Sequence, residues 1–284
     1  MGGALIGGIL KSAVSRPEDI VATTASPARA AEVAARYGIR AEPQANARAA
    51  AEADVIILAV KPGKITHLLD EIRTSLRPSQ ILVSIAAAYP IELIECSLAH
   101  PMAIFRAMPN IPVVVEEGAT GMARNGHSTV EQAALVESLF RELGPVCWVE
   151  EDQLHAVTAV SGSGPAYIYM VIEAMIAGGL KQGLPRDVAT KLAEQTVLGA
   201  AKLVRETGLH PAILRDQVIT PGGVTISAIH ELEKHGLRSM LISAIETATR
   251  HSRHVTESLV QKYKDQKQRE KTHQDRTHPE KPNE

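Results

Sequence analysis

Between Thr220 and Thr225 the chain reads Thr-Pro-Gly-Gly-Val-Thr, a proline-stiffened turn with two glycines and hydroxyls at both ends. An apolar and polar rhythm of helical period follows to about Leu237. The first amides of a helix have no partner inside it and carry the positive end of its dipole. A turn that leaves the amides of Gly223, Val224 and Thr225 at that point is suited to receive a carboxylate. A second turn, Ser161-Gly162-Ser163-Gly164-Pro165, opens another long helix earlier in the chain. Taken alone, each is equally a plain Gly/Pro helix start, so the chemistry depends on what surrounds them.

The elements that must position these turns fall into two textures. The first half alternates strand and helix. Strands are expected at Ile20–Thr24, Ile39–Ala41, Asp54–Val60, Gln80–Ile85, Ala103–Met108, Thr120–Ala123 and Val146–Val149, with helices at Pro27–Tyr37, Ile65–Ser75, Ile91–Ser97 and Thr129–Leu143. That alternation predicts an α/β fold, a doubly wound parallel sheet, with ligands at the carboxyl ends of the strands, where Thr24–Ser26, Val60–Pro62, Ala86–Ala88 and Met108–Asn110 gather. From about Ala156 only helices are expected, at Tyr167–Gln182, Asp187–Glu206, Pro211–Val218, Thr225–Lys234 and Leu237–Lys262. They are apolar on more than one face, which marks an interface. The division is therefore 1–153, 154–262 and a last segment, 263–284, with no aliphatic residue after Tyr263, expected to be a disordered polar tail.

At 284 residues the chain is long enough for two cores. A net charge of −2, with no basic stripe interleaved with aromatics, gives no reason to expect nucleic acid. No apolar run approaches the roughly 18–20 residues of a membrane span. With only Cys96 and Cys147, buried free thiols in a reducing cytoplasm are expected rather than a disulfide framework. His230 and His235, or His251 and His254, lack the carboxylate or cysteine that would complete a familiar metal site, so no metal is expected.

Four segments in register carry a resemblance: Ala156 to Tyr167, Thr220 to Thr225, Ala59-Val60-Lys61-Pro62, and Arg106-Ala107-Met108-Pro109-Asn110. Over roughly residues 1–260 the chain resembles pyrroline-5-carboxylate reductase, which makes proline. The resemblance implies a Rossmann-like domain followed by a helical dimerisation domain, interlocked homodimers that assemble further into rings, and hydride delivery from a nicotinamide to the C=N carbon of a small cyclic imino acid. It implies cofactor contacts from Gly2, Ser26, Asn46, Ala59, Val60, Lys61, Pro62, Ala86, Ala87, Met108 and Asn110. Substrate contacts are implied for Gly222, Gly223, Val224 and Thr225, with Thr220, Gln217 and Glu151 nearby, and Thr225 is the catalytic candidate beside the substrate nitrogen. No acid need be required, because an imine can collect a proton from water or an adjacent hydroxyl. Read without the resemblance, Asn46 is a helix cap, Lys61 a solvated strand end and Glu151 a solvated charge.

Thr23 to Ser26, after the second strand of such a fold, hold no acid to grip the ribose 2′-hydroxyl of NAD, and Arg29 lies one turn on. That favours NADPH, with NADH the alternative. Ala88 stands where the family usually has glycine, Ile111 where it has threonine, and Thr220 where it has serine; Ala88 matters if that position needs a positive φ. The resemblance places Met1 on the second variable position, and Gly2 on the third glycine, of the Gly-x-Gly-x-x-Gly turn. The expectation is that the start lies inside a longer reading frame, or that the chain is naturally trimmed. In either case a form extended upstream by about ten residues should bind cofactor more tightly, while the 284-residue form still dimerises. Two rivals are a non-catalytic relative that has lost its cofactor, and a β-hydroxyacid dehydrogenase. The second would need a catalytic lysine on the long interdomain helix, and none lies between Ala156 and Leu180.

Overall fold

The computed structural model describes residues 1–12 and 14–277, with side chains as far as 269. It divides into two compact units, one of residues 1–162 with 248 onward and the other of residues 163–247. The first unit opens with α1 (Gly2–Ser12), β1 (Val21–Thr24), α2 (Pro27–Tyr37), β2 (Arg40–Pro43), α3 (Asn46–Glu52), β3 (Val55–Leu58), α4 (Pro62–Ile72), β4 (Ile81–Ser84) and α5 (Ile91–Glu95). It continues through β5 (Ala103–Pro109), β6 (Thr120–Arg124), α6 (Val130–Arg141), β7 (Val146–Trp148) and α7 (Leu154–Val157). In the second unit lie α8 (Gly164–Lys181), α9 (Arg186–Thr207), α10 (Pro211–Gln217) and α11 (Val224–Lys234), and α12 (Leu237–Thr277) runs on into the first.

β1 and β2 pair in parallel, and β3, β4 and β5 pair in parallel in a separate five-stranded sheet of order β3-β4-β5-β6-β7. Among the described residues β1 pairs with β2 alone and β3 with β4 alone, so each presents one edge without a ladder. The expected sheet is wholly parallel, but β6 runs antiparallel to β5. The cause is the link between them: Asn110 to Ala119 holds only the 3₁₀ stretch Ile111–Val115, and a parallel return needs a longer crossover, usually a helix.

Alternate residues of the central strands feed two cores. Leu82 and Ile104 face one side with Leu58, Ile65, Leu69 and Ile94, while Ile81, Val83, Ala103 and Phe105 face the other with Leu5, Met122, Val136 and Phe140. Ser26 caps α2 by accepting the Arg29 amide, Gly38 ends it in the left-handed conformation, and Thr129 with Gln132 forms a capping box on α6.

Within the compact first unit α7 packs on β6, where the Val157 side chain lies against Gly121, and Leu154 and Ala159 are buried. Two expectations need correction. Cys96 and Cys147 are exposed: one follows the short α5 and the other sits on the outward face of the edge strand β7. The polar segment from 263 is not structureless, since α12 continues to Thr277; residues 278–284 lie outside the described residues. Lys, Gln and Glu are good helix formers, Gln261 donates to Asp265 one turn on, and Lys267 lies over the Tyr263 ring.

Gly144, between α6 and β7, has a φ of 130°, and a Cβ there would overlap the carbonyl of Gly118. Gly144→Ala should therefore destabilise the protein by about 2 kcal/mol or more, read as a fall in the unfolding midpoint; an unchanged midpoint would contradict this packing.

Candidate active site

The carboxyl ends of the strands in the first unit collect most of the expected cofactor residues. Gly2 opens α1 with no acid in its first turn, and a Cβ on it would lie 3.3 Å from the Ala59 Cβ, so the start of α1 and the end of β3 are adjacent. Lys61 precedes Pro62 with φ −63° and ψ 147°, the extended conformation the proline imposes, and Ala59, Val60 and Lys61 are exposed. The Thr24 hydroxyl donates to the Ser26 carbonyl, and the Gln44 amide donates to the Thr24 carbonyl, which joins the loops after β1 and β2. Arg29 is exposed and paired with Glu32.

Two candidates have other work. Asn46 does not cap α3 with its side chain; it begins the helix and donates to Glu71 on α4 at 2.9 Å. Asn110 is buried, with its carboxamide donating to the Ser161 carbonyl at 3.0 Å and accepting the Ala119 amide at 2.9 Å. It fastens the end of β5 to the turn before α8. Ala86 is buried, and Ala87 and Met108 are half-buried.

Glu151 is held inside the first unit. One carboxylate oxygen, Oε1, accepts from the Arg106 guanidinium at 2.8 Å and from the Ile91 amide at 2.7 Å. Arg106 is 5% exposed on β5, and its Nε is buried without a partner among the described residues. Beside this pair His155 Nδ1 and Ser252 Oγ are 2.9 Å apart, both buried, and Asp152 pairs with Arg253 at the surface. Burial holds the His155 pKa below the ordinary 6.5; Asp152 opposes this, Arg106 and Arg253 add to it, and Glu151 opposes. The Arg253 hydrogen bond lowers the Asp152 pKa.

The Thr220–Thr225 turn belongs to the second unit. Gly222 is left-handed at φ 66°, the Gly223 amide closes the turn on the Thr220 carbonyl at 3.0 Å, and Gly223 caps α11 with no side chain to satisfy the amides that follow. A Cβ on Gly223 would strike the Thr220 hydroxyl, so that hydroxyl lies against the turn. Thr225 is half-buried at the second position of α11, Val224 points outward, 90% exposed, and Gln217 ends α10. Gly222, Gly223, Val224, Thr225 and Thr220 thus form one local structure in which the Gly223 amide is used within the turn and the helix-start amides after it have no side-chain cap.

Residues 151–255 match the family model described as pyrroline-5-carboxylate reductase dimerisation, and residues 1–88 match that of NADP oxidoreductase coenzyme F420-dependent. The pyrroline-5-carboxylate reductase of Escherichia coli K12 is 40% identical over 91% of this chain and 96% of its own length. That of Methanosarcina acetivorans is 39% identical over 89% and 93%. The chain belongs to the pyrroline-5-carboxylate reductase family. Among solved structures, the Coxiella burnetii pyrroline-5-carboxylate reductase superposes with a TM-score of 0.84 at 36% identity, covering 89% of this chain and 94% of that one. The Plasmodium falciparum pyrroline carboxylate reductase with NADP bound gives 0.80 at 28% identity, covering 90% and 94%.

For a pyrroline-5-carboxylate reductase, sequence reasoning missed the layer behind the strand ends. Arg106 appears in a motif, yet a single cation in the strand Ala-Ile-Phe-Arg-Ala-Met-Pro is itself a signal of a buried, paired charge. Nothing local in the sequence announces the bonds of Ser252 to His155 or of Thr256 to Ala88.

Removing the Glu151 carboxylate leaves Arg106 charged and unpaired in the sheet. Glu151→Ala should cost about 3 kcal/mol, against under about 1 kcal/mol for Asp152→Ala at the surface, and denaturant unfolding compares them directly. Equal costs would mean that the Arg106 pair is solvated. For His155, the unfolded ring binds a proton near pH 6.5 and the folded ring only below that. Stability should therefore fall as pH drops through 6.5 towards the lowered value and then level off. His155→Gln should flatten that stretch of the melting-temperature curve, and an identical slope in the variant would show that another group is responsible.

Proposed function

We infer that this chain reduces the C=N bond of 1-pyrroline-5-carboxylate to give L-proline with NADPH, and that the Thr220–Thr225 turn binds the substrate carboxylate. The observation that carries the reading is that turn itself, with its left-handed Gly222 and a Gly223 cap that offers no side-chain acceptor, in a chain 40% identical over 91% of its length to a reductase of this name. The amides of Val224 and Thr225, with the Thr225 hydroxyl, supply donors to the carboxylate, the Gly223 amide being taken by the Thr220 carbonyl, and Thr225 is the residue proposed beside the substrate nitrogen. Thr220 packs its hydroxyl against the turn and shapes it, and Gln217 leads into it. Glu151, with its Oε1 bound to Arg106 and Ile91, supports the first unit instead of meeting substrate.

The residues present fit a nicotinamide nucleotide. Gly2 leaves α1 open beside Ala59, the Ala59–Lys61 backbone is extended and exposed, and no carboxylate follows β1, where Arg29 is available to a 2′-phosphate. Gly2, Ser26, Asn46, Ala59, Val60, Lys61, Pro62, Ala86, Ala87 and Met108 would hold it, with Asn110 bracing the loop behind Met108. Bound NADPH supplies the hydride. The protein orients the ring through its carboxylate and leaves the nitrogen to be protonated by water or by the Thr225 hydroxyl.

A homodimer formed through the helical unit belongs to the same proposal. α8 has no buried residue within one chain, and Met170, Leu192, Leu198 and Leu203 are exposed along α8 and α9. A ring of such dimers, and a cytoplasmic location consistent with two free cysteines, complete it.

The direct test is NADPH oxidation on adding pyrroline-5-carboxylate, with proline identified as product; no proline from the intact chain would overturn the reading. Thr225→Ala should lower kcat/KM by about 1–3 kcal/mol of transition-state stabilisation, and Thr225→Ser should restore most of it. Unchanged kcat/KM in the alanine variant would remove Thr225 from the site.

A further inference from the structure

α12 reaches the first unit with one face. Ser252, Thr256, Leu259 and Tyr263 recur at helical spacing: Ser252 meets His155, Leu259 and Tyr263 pack on the core around Ile65 and Ile94, and the Tyr263 hydroxyl donates to the Cys96 carbonyl. Thr256, like Ser252, reaches beyond its own helix. Thr158, Thr196, Thr207, Ser161 and Ser227 each bond the carbonyl four residues before them. The Thr256 hydroxyl instead donates to the carbonyl of Ala88 at 2.9 Å, 168 residues away in sequence.

Ala88 needs such a partner. It is buried and left-handed, with φ 59°, a conformation in which a Cβ is disfavoured and which glycine adopts freely. Its neighbours Tyr89 and Ile91 are fixed to Thr66 and Glu151, but the Thr256 bond falls on the strained residue itself. Strain of this kind persists only where the surroundings over-determine the backbone.

We propose that Thr256 is a positioning residue of the reductase: its hydroxyl locks Ala88 in the left-handed turn and so fixes the Ala86–Ala88 loop that meets the cofactor. The proposal rests on the reading that this loop lines the nicotinamide nucleotide site. The lock matters because Ala88 is not glycine, so the two positions must be coupled.

The test is a cycle in the full chain: Thr256→Val and Thr256→Ser, each with Ala88 and with Ala88→Gly. NADPH affinity is measured by fluorescence titration, and melting temperature is measured without cofactor. With Ala88, Thr256→Val should weaken NADPH binding about five-fold, the equivalent of about 1 kcal/mol for one hydrogen bond, and lower the melting temperature; Thr256→Ser should stay within about two-fold. With Ala88→Gly, the same valine substitution should cost less than about two-fold and shift the melting temperature less. Equal losses in both backgrounds, or equal losses for valine and serine, would overturn the proposal and leave the cofactor reading standing if the unsubstituted chain binds NADPH. If no protein in the set binds NADPH, the unsubstituted chain included, the cofactor reading and the proposal fall together.

Discussion

A guanidinium in the middle of an apolar sheet is tolerable only if its charge is met, and Arg106 on β5 meets one carboxylate, that of Glu151. The same oxygen also takes the first amide of α5. One ion pair therefore joins the central strand, the loop after β4 and the segment leading into α7, the three places from which Met108, Ala86 and the turn before α8 are carried. Replaced by packed hydrocarbon, this junction could be as stable, but it would no longer dictate which loop sits against which strand. The pair of His155 and Ser252 lies next to it, so Arg106, Glu151, His155 and Ser252 form one polar cluster.

Much of the first unit was legible because its signals are local. The helix over Pro27–Tyr37 is bracketed by Ser26 and Gly38, the strand from Ala103 shows in its apolar run, and the turn at Thr220–Thr225 announces itself through two glycines and a proline. The direction of β6 was written in the shortness of its link but was overridden by the habit of strand-helix alternation. What local reading cannot give is partnership. Asn46 and Asn110 have the composition of caps or ligand contacts, and only the fold shows one bonded to Glu71 and the other spanning two backbone groups. Glu151 looks solvated because its cation stands 45 residues earlier. The polar stretch after Tyr263 lacks the apolar residues that propensity arguments weigh, yet its charged and amide side chains are helix formers continuing a helix already paid for by the core.

The two segments proposed to meet ligands are built by different physics. In the first unit the donors and surfaces are backbone at strand ends, kept in place by side chains behind them. In the second the turn before α11 needs no such support, since a left-handed glycine and a cap without a side chain leave the amides bare by construction. The apolar residues exposed along α8 and α9 mark an interface on the second unit.

The place of α12 in the sequence has a consequence for synthesis. Leu259, Val260 and Tyr263 pack on the core that Ile65, Leu69 and Ile94 begin, so that core is short of side chains until nearly the whole polypeptide has been made. The strands emerging from the ribosome must wait, partly uncovered, through the translation of every helix between. Contacts this distant along the chain slow folding and leave apolar sheet exposed in the interval. A fragment ending at residue 162 therefore lacks part of the packing of its own core and should not be mistaken for an independent domain.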